Sequence, residues 1–264
     1  TSRASNDGLA NILYTSGTTG EPKGVLLHHF NYYEIIRIHD IRLTTMTDED
    51  VSMSFLPLTH VFERAWSYYC LHKGTIVCLN LRPAEIASTI KEVRPTLMCS
   101  VPRFWEKVYA GVNEKITSES GFKRKLMLDA IRVGKIHNVD YLRVGKRPPL
   151  GIRLKYMFYE KTAYALLKKT IGLENGKFFP VAGAAVPDEI CEFCHAVGIN
   201  MKVGYGLTES CATVSCFPDD SFELGSVGKI MPDLQVKIGE NNEILLRGKT
   251  ITTGYYKKAE ETAK

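Results

Sequence analysis

The hydrophobic positions of this chain fall into short apolar runs that alternate with segments of mixed apolar and charged residues. The apolar runs predict strands at 9–14, 25–27, 51–56, 75–79, 96–101, 178–182 and 200–203. The mixed segments have helical spacing and predict helices at 31–43, 61–72, 83–93, 103–116 and 188–197. Strands alternating with helices predict an α/β fold with largely parallel sheets flanked by helices.

The pattern changes after about residue 221. Two short apolar stretches, 235–238 and 243–247, flank the polar sequence GENN, which is typical of a hairpin turn. We therefore predict a domain core over residues 1–220. The start of a small β-rich subdomain is predicted over residues 221–264.

Composition agrees with a globular protein, since 44% of the 264 residues are hydrophobic and 24% are charged. These values exclude intrinsically disordered and collagen-like chains. No apolar run approaches the roughly 18–20 residues that a membrane-spanning helix needs. The seven cysteines are odd in number and lie mostly in apolar runs, which predicts buried thiols and a cytoplasmic protein.

The positive charge is concentrated in residues 123–169, which we call the basic segment. It contains thirteen Lys or Arg against three acidic residues, so its net charge is +10 while the whole chain carries +5. One interpretation is a solvated helical surface. The other is a surface that binds anionic lipid or a polyphosphate ligand, as in a protein held peripherally on the inner face of a membrane. Nucleic acid is not expected, because no nucleic-acid-binding motif accompanies the charge.

A glycine-rich loop, YTSGTTGEPKG, occupies residues 14–24 behind the first predicted strand. Its glycines let the backbone turn sharply, its hydroxyls can donate hydrogen bonds, and Lys23 can reach phosphate oxygens. The spacing differs from the Walker A pattern. The loop is nevertheless predicted to bind phosphate.

Six motifs in order resemble those of the adenylate-forming superfamily, which includes acyl-CoA synthetases and peptide-synthetase adenylation domains. They are the loop itself, FLPLTHVFE (55–63), VAGAAVP (181–187), GYGLTES (204–210), GSVGKIMP (225–232) and EILLRGKTITTGYY (243–256). The segments HVFER, EVRPT and PRFWEKVY, with the basic segment, resemble the long-chain fatty acid–CoA ligase branch. The resemblance implies attack of a carboxylate on ATP to give acyl-AMP, followed by transfer of the acyl group to coenzyme A.

The resemblance also implies roles for individual residues. Lys23 and the loop hydroxyls would hold phosphates, Glu209 would hold Mg²⁺, and Tyr205 would stack on adenine. His60 would orient the reacting carboxylate, Thr208 would donate to the α-phosphate or the carboxylate, and Trp66 is a candidate gate for the acyl chain. The remaining candidate nucleotide-binding residues are Thr15, Ser16, Gly17, Thr18, Thr19, Gly20, Gly183, Ala184, Ala185 and Gly206.

The family pattern extends beyond this chain at both ends. The resemblance predicts a ribose-binding Asp soon after Thr262, followed by a small lid that carries a catalytic Lys. The chain is therefore expected to be a central part of the larger N-terminal domain, and to adenylate poorly or not at all by itself.

Two alternatives to a fatty acid–CoA ligase stay open at this point. One is another carboxylate-adenylating enzyme, such as an aryl-CoA ligase or a peptide-synthetase adenylation domain. The other is a non-catalytic nucleotide-binding module.

The sequence CEFCH at 191–195 matches a haem-attachment pattern. It lies in a predicted helix, in a region that the family resemblance accounts for, so we interpret its cysteines as structural.

Overall fold

A computed structural model describes residues 5–15 and 21–263 of the chain. The strands in this part are β1 Leu9–Thr15, β2 Lys23–His28, β3 Val51–Ser54, β4 Ile76–Leu79, β5 Phe179–Val181, β6 Met201–Tyr205, β7 Ser215–Cys216, β8 Lys229–Ile230, β9 Gln235–Ile238 and β10 Ile244–Arg247. The α-helices are α1 His29–Arg42, α2 Val61–Lys73, α3 Ile86–Val93, α4 Pro102–Ser118, α5 Gly121–Gly134, α6 Leu150–Tyr159, α7 Ala165–Ile171, α8 Asp188–Ala196 and α9 Ala259–Ala263.

The main sheet is parallel through its first strands, as the alternation of elements predicts. β3 pairs with β4 and β5 pairs with β6, both in parallel. The predicted strand at 96–101 lies between these pairs but joins them only through single bridges at Leu97 and Ser100. β7 and β8 then extend the sheet beyond β6 in antiparallel order. The α/β prediction is confirmed, and the sheet is mixed at this edge.

A second pair of strands frames the glycine-rich loop. β1 and β2 are antiparallel, with Thr15 opposite Lys23. Ser16, Gly17, Thr18, Thr19 and Gly20 lie outside the described residues. The other side of β2 is bordered by residues 252–256, because Val25 pairs with Tyr255 and the Leu26 N–H donates to the Gly254 carbonyl over 3.0 Å. The predicted hairpin at 235–247 is present as β9 and β10.

Three apolar clusters fix these elements relative to one another. The largest packs α4, α5 and α8 against β5 and β6, with Trp105 and Phe179 fully buried. A second packs α1 against β1 and β2 around Val25 and Ile35. A third surrounds Trp66 on α2. Each large apolar side chain contributes about 1.5–3 kcal/mol when it is fully buried, so the strand ends are held by a well-packed frame.

The basic segment is helical, as predicted, and is interrupted near its two prolines. α5 continues into wider helical turns over residues 135–141, and a left-handed Gly145 follows the turn at 142–144. α6 starts after Pro149 because a proline tolerates the first turn of a helix better than its interior. Within the described residues, no helix is long and apolar enough to cross a membrane.

Candidate adenylation site

A cavity of about 350 Å³ opens where β3, β5 and β6 reach their carboxyl ends. This edge of an open α/β sheet is where ligands commonly bind, because the loops that leave parallel strands converge there. Six of the residues that the sequence predicts for the site line this cavity: His60, Trp66, Gly183, Tyr205, Gly206 and Thr208. The fold therefore brings together positions from three separate motifs.

His60 stands at the start of α2, immediately after the turn that leaves β3. Its backbone N–H donates to the Pro57 carbonyl over 2.9 Å, which closes this turn. The His60 side chain is exposed. It makes no hydrogen bond within the described part of the chain, so the imidazole is available to a ligand in the cavity.

The segment after β6 is held in a strained conformation. The Ser210 hydroxyl accepts from the Leu207 N–H over 2.9 Å and caps the tight turn of Thr208–Ser210. Cys211 and Ala212 then have positive φ angles of 52° and 89°. Such angles cost about 1–3 kcal/mol each in residues other than glycine. The turn presents Thr208 to the cavity.

The backbone favours glycine at two of the predicted nucleotide-binding positions, Gly206 and Gly183. A Cβ at Gly206 would lie 1.3 Å from the Ala212 carbonyl oxygen, so the fold of the turn requires glycine there. Gly183 has a φ of 93° directly after β5, a conformation that glycine adopts without strain. Ala184 and Ala185 follow it on the exposed surface and do not line the cavity.

Lys23 and Glu209 lie outside the cavity wall and meet at Tyr255. The Tyr255 hydroxyl donates to Glu209 Oε1 over 2.9 Å, and Lys23 Nζ lies 5.3 Å from the centre of the Tyr255 ring. Burial, together with the hydrogen bond to Glu209, raises the pKa of Tyr255 to about 12, so the hydroxyl keeps its proton. Sequence reasoning missed this residue, although it belongs to the last of the six motifs.

The surroundings of Glu209 fit a magnesium ion that arrives with a nucleotide. Across residues 5–15 and 21–263, no group of three or more His, Cys, Asp or Glu side chains could hold a metal ion. Mg²⁺ is usually bound by one or two carboxylates together with substrate phosphates. Glu209 could supply one such carboxylate, and the phosphates of ATP would supply the other ligands.

Trp66 is an anchored part of the cavity wall. Its side chain is only 5% exposed, and its indole N–H donates to the Ser52 hydroxyl over 2.9 Å. The ring also meets Phe178 edge-on, with ring centres 6.2 Å apart. One face of the indole borders the cavity while these contacts fix its orientation.

Two further ionisable residues line the cavity, and no sequence motif indicated them. Lys202 is 2% exposed, and its ammonium donates to the Pro218 carbonyl over 2.7 Å and pairs with Asp219 Oδ1 at 2.9 Å. Burial lowers the pKa of His39 to about 4, so its imidazole is neutral at pH 7. The cavity therefore carries one paired ammonium and the imidazoles of His39 and His60 among mostly apolar side chains.

The cysteines are unpaired thiols, as predicted, and six of the seven are buried. Cys191 and Cys194, from the CEFCH sequence, lie in α8 within the largest apolar cluster. Burial raises the pKa of both thiols. They are core side chains in this fold.

Comparison with known proteins identifies the family of this chain. The profile of the AMP-binding enzyme family matches residues 1–256, and the chain therefore belongs to that family. It is 29% identical to long chain acyl-CoA synthetase 4 of Arabidopsis thaliana, over 96% of this chain and 40% of that protein. It is 33% identical to the putative fatty-acid–CoA ligase fadD11 of Mycobacterium tuberculosis, over 97% of this chain and 45% of that protein.

The fold also matches solved structures. The o-succinylbenzoate coenzyme A synthetase MenE of Bacillus subtilis, in complex with ATP and magnesium ion, aligns with a TM-score of 0.66 at 19% identity. That alignment covers 98% of this chain and 45% of MenE. The chain thus has the fold of an adenylate-forming enzyme, and it spans less than half the length of the relatives it matches.

Proposed function

We propose that this chain forms the adenylation core of an AMP-forming fatty acid–CoA ligase. In the first step, a fatty acid carboxylate attacks the α-phosphorus of ATP and releases pyrophosphate. Coenzyme A thiol then attacks the acyl carbonyl and releases AMP. The observation that carries the proposal is the single cavity that joins His60, Gly183, Tyr205 and Thr208 at the carboxyl ends of the parallel strands.

The chemistry requires neutralisation of crowded negative charge, because the carboxylate and the triphosphate repel each other. We assign phosphate binding to Lys23, Thr15 and the loop residues 16–20, and Mg²⁺ binding to Glu209. Thr208 would donate to the α-phosphate or the carboxylate, and His60 would orient the acid. Gly183, Tyr205 and Gly206 would accommodate the adenine, with Ala184 and Ala185 beside it on the exposed surface.

The acyl group is proposed to be a long-chain fatty acid. The names of the curated relatives support this choice, and the cavity is bordered by apolar side chains such as Leu43, Leu56 and Phe62. Trp66 is the proposed gate for the chain, and to open it would have to give up the hydrogen bond that it donates to the Ser52 hydroxyl. An aromatic acid is the second candidate, because MenE, which shares the fold, is an o-succinylbenzoate coenzyme A synthetase.

The test is a substrate panel with the intact protein. Pyrophosphate release is measured with palmitate, o-succinylbenzoate, acetate and a mixture of amino acids, each with ATP and Mg²⁺. We expect palmitate to be turned over fastest. Faster turnover of o-succinylbenzoate or an amino acid would replace the fatty acid assignment and keep the adenylating class.

Glu209→Ala separates an enzyme from a nucleotide-binding module. The matched control is Glu106→Ala, which removes an exposed carboxylate from α4. We expect pyrophosphate release to fall by roughly a hundredfold or more in Glu209→Ala and to stay unchanged in the control. Equal rates in both variants would favour a module without catalysis.

We also propose a cytoplasmic location with peripheral membrane contact through the basic segment. The free thiols support the location. The membrane contact is supported by apolar side chains exposed within or beside the segment, including Phe122 and Phe158, which are 78% and 57% exposed. Basic and apolar groups together favour an anionic bilayer surface.

Vesicle sedimentation tests the membrane proposal. Binding is expected with phosphatidylcholine vesicles that contain phosphatidylglycerol and not with phosphatidylcholine alone, and added salt should weaken it. Lys123→Glu with Lys125→Glu should reduce binding, whereas Lys237→Glu, outside the segment, should not. Equal sedimentation of all three proteins would reject this surface.

A further inference from the structure

Tyr255 touches both groups that the proposed function assigns to the phosphate and magnesium end of the site. We propose that Tyr255 is a positioning residue, which keeps the Glu209 carboxylate and the Lys23 ammonium apart and directs both toward one bound triphosphate. The inference rests on the proposed function. It concerns how this chain's own residues prepare for Mg²⁺ and ATP.

Two contacts place Tyr255 between Glu209 and Lys23. The Tyr255 hydroxyl donates to Glu209 Oε1 over 2.9 Å, while its ring lies under Lys23 Nζ at 5.3 Å. No hydrogen bond or ion pair joins Lys23 to Glu209 in the described structure. The tyrosine therefore takes the place of a direct pair between two opposite charges on neighbouring segments.

The intervening ring leaves both charges free to bind a ligand. A direct ion pair would occupy a carboxylate oxygen and an ammonium proton, and the ligand would have to break it. A single hydroxyl donor occupies one oxygen of Glu209 and leaves Oε2 for a metal. The ring face attracts the ammonium without accepting any of its three N–H donors.

The backbone fixes Tyr255 in this place. Tyr255 pairs with Val25 on β2, and the neighbouring Tyr256 N–H donates to the Gly24 carbonyl over 2.7 Å. On the other side, the Thr252 N–H donates to the Glu209 carbonyl over 2.7 Å. The segment that carries Tyr255 is thus bound to the strand of Lys23 and to the turn of Glu209. Tyr255 does not line the cavity, so its action passes through these two residues.

The experiment measures the Mg²⁺ requirement for nucleotide binding in the intact protein. Calorimetry is repeated over a range of Mg²⁺ concentrations. The nucleotide is the α,β-methylene analogue of ATP, because it does not allow turnover. Tyr255→Phe removes only the hydrogen bond to Glu209, and Tyr255→Leu also removes the ring beneath Lys23. The matched control is Tyr256→Phe, because Tyr256 also lies beside a lysine, Lys257, at 5.1 Å.

Tyr255→Phe is expected to raise the Mg²⁺ concentration for half-saturation by about tenfold, since hydrogen bonds to charged groups have roughly that weight. Binding of the analogue without Mg²⁺ should stay unchanged in this variant and should weaken in Tyr255→Leu. Tyr256→Phe should match the unmodified protein in both measurements. In a Glu209→Ala background, Tyr255→Phe should cause no further change.

Two results together would overturn this inference and leave the proposed function intact. The Mg²⁺ concentration for half-saturation would be unchanged in Tyr255→Phe, and nucleotide binding by Glu209→Ala would no longer depend on Mg²⁺. An unchanged requirement in Glu209→Ala itself would instead remove the magnesium assignment on which the inference rests. If Tyr255→Phe lowers the unfolding midpoint too far for calorimetry, Tyr255→His is measured in its place, because it retains a ring donor. The expected result is then a requirement between those of the unmodified protein and Glu209→Ala, and a requirement equal to that of the unmodified protein overturns the inference.

Discussion

Glu63 is a fully buried ionisable residue on the helix that begins at the candidate site. It lies on α2, three residues after His60, and its exposed fraction is 0%. Burial raises the pKa of Glu63 to about 7, and nearby Ser54, Ser67 and the Leu56 N–H lower it only in part. None of these groups meets hydrogen-bond geometry, and both carboxyl oxygens lack a partner in the described part of the chain. The carboxyl group is therefore costly in its ionised form.

Glu63→Gln should stabilise the fold at alkaline pH. The folded pKa of about 7 lies above the ordinary value of 4.5, so the folded chain binds more protons between these values. Stability should therefore fall as pH rises through this window, by about 3 kcal/mol from this group alone. Urea unfolding at pH 5 and pH 8 measures the free energy of unfolding. This free energy should rise in Glu63→Gln relative to the unmodified protein as pH rises. Glu106→Gln is the exposed control, and an equal gain there would reject the assignment.

Lys202 presents the opposite case of a buried charge that has partners. Burial alone would raise the pKa of Asp219, but its ion pair with Lys202 and the hydrogen bonds that it accepts from Thr44 outweigh this, and the pKa lies below its ordinary value. Asp219 thus contributes stability above its unfolded pKa that is lost as pH falls toward the lowered value. Lys202 lines the cavity, and its pairing with Asp219 holds this part of the wall.

Lys202→Met should destabilise the protein by about 3–5 kcal/mol, because it leaves a partly buried carboxylate without its partner. Lys202→Met combined with Asp219→Asn should recover part of this loss, since the unpaired charge is then removed. The free energy of unfolding in urea at pH 7 measures both variants. A double variant no more stable than Lys202→Met would mean that packing, rather than charge, dominates at this position.

At the scale of elements, local patterns predicted the helices better than the pairing of strands. The predicted helix at 61–72 is α2, Val61–Lys73, because its spacing and the left-handed Gly74 that ends it are local properties. The pairing of Val25 with Tyr255 joins residues far apart in the sequence, and no local pattern encodes it. The predicted strand at 96–101 has the right position, but its partners pair with it at single residues only.

Gly172→Ala tests an element boundary that the sequence pattern did not indicate. Gly172 ends α7 with a φ of 92°, and a Cβ there would lie 2.7 Å from the Lys91 Cα atom near the end of α3. The control is Gly145→Ala, which has a φ of 70° but no atom within 4 Å of the added Cβ. Left-handed backbone alone costs roughly 1–2 kcal/mol, so the control should lose about that much and Gly172→Ala distinctly more. Equal losses in chemical unfolding would show that α3 and α7 move apart at little cost.

For the whole molecule, the site forms because parallel strands end at one edge. His60 and Thr208 are far apart in sequence, yet both line the same cavity. The motifs predicted that His60, Gly183 and Thr208 would share one site. All three line the cavity, because their motifs lie at the carboxyl ends of β3, β5 and β6. The motifs could not predict Lys202, His39 or Tyr255, because the contributions of these residues depend on tertiary contacts with distant segments.

At the same scale, the described contacts predict that the 264 residues bind ATP in a Mg²⁺-dependent way. Contacts between β2, the turn after β6 and residues 252–256 hold Lys23, Tyr255 and Glu209 close together. Calorimetry with ATP and Mg²⁺ should therefore detect binding, and Glu209→Ala should weaken it, because Mg²⁺ is usually held by a carboxylate together with substrate phosphates. Equal binding by Glu209→Ala would mean that this carboxylate does not hold the metal.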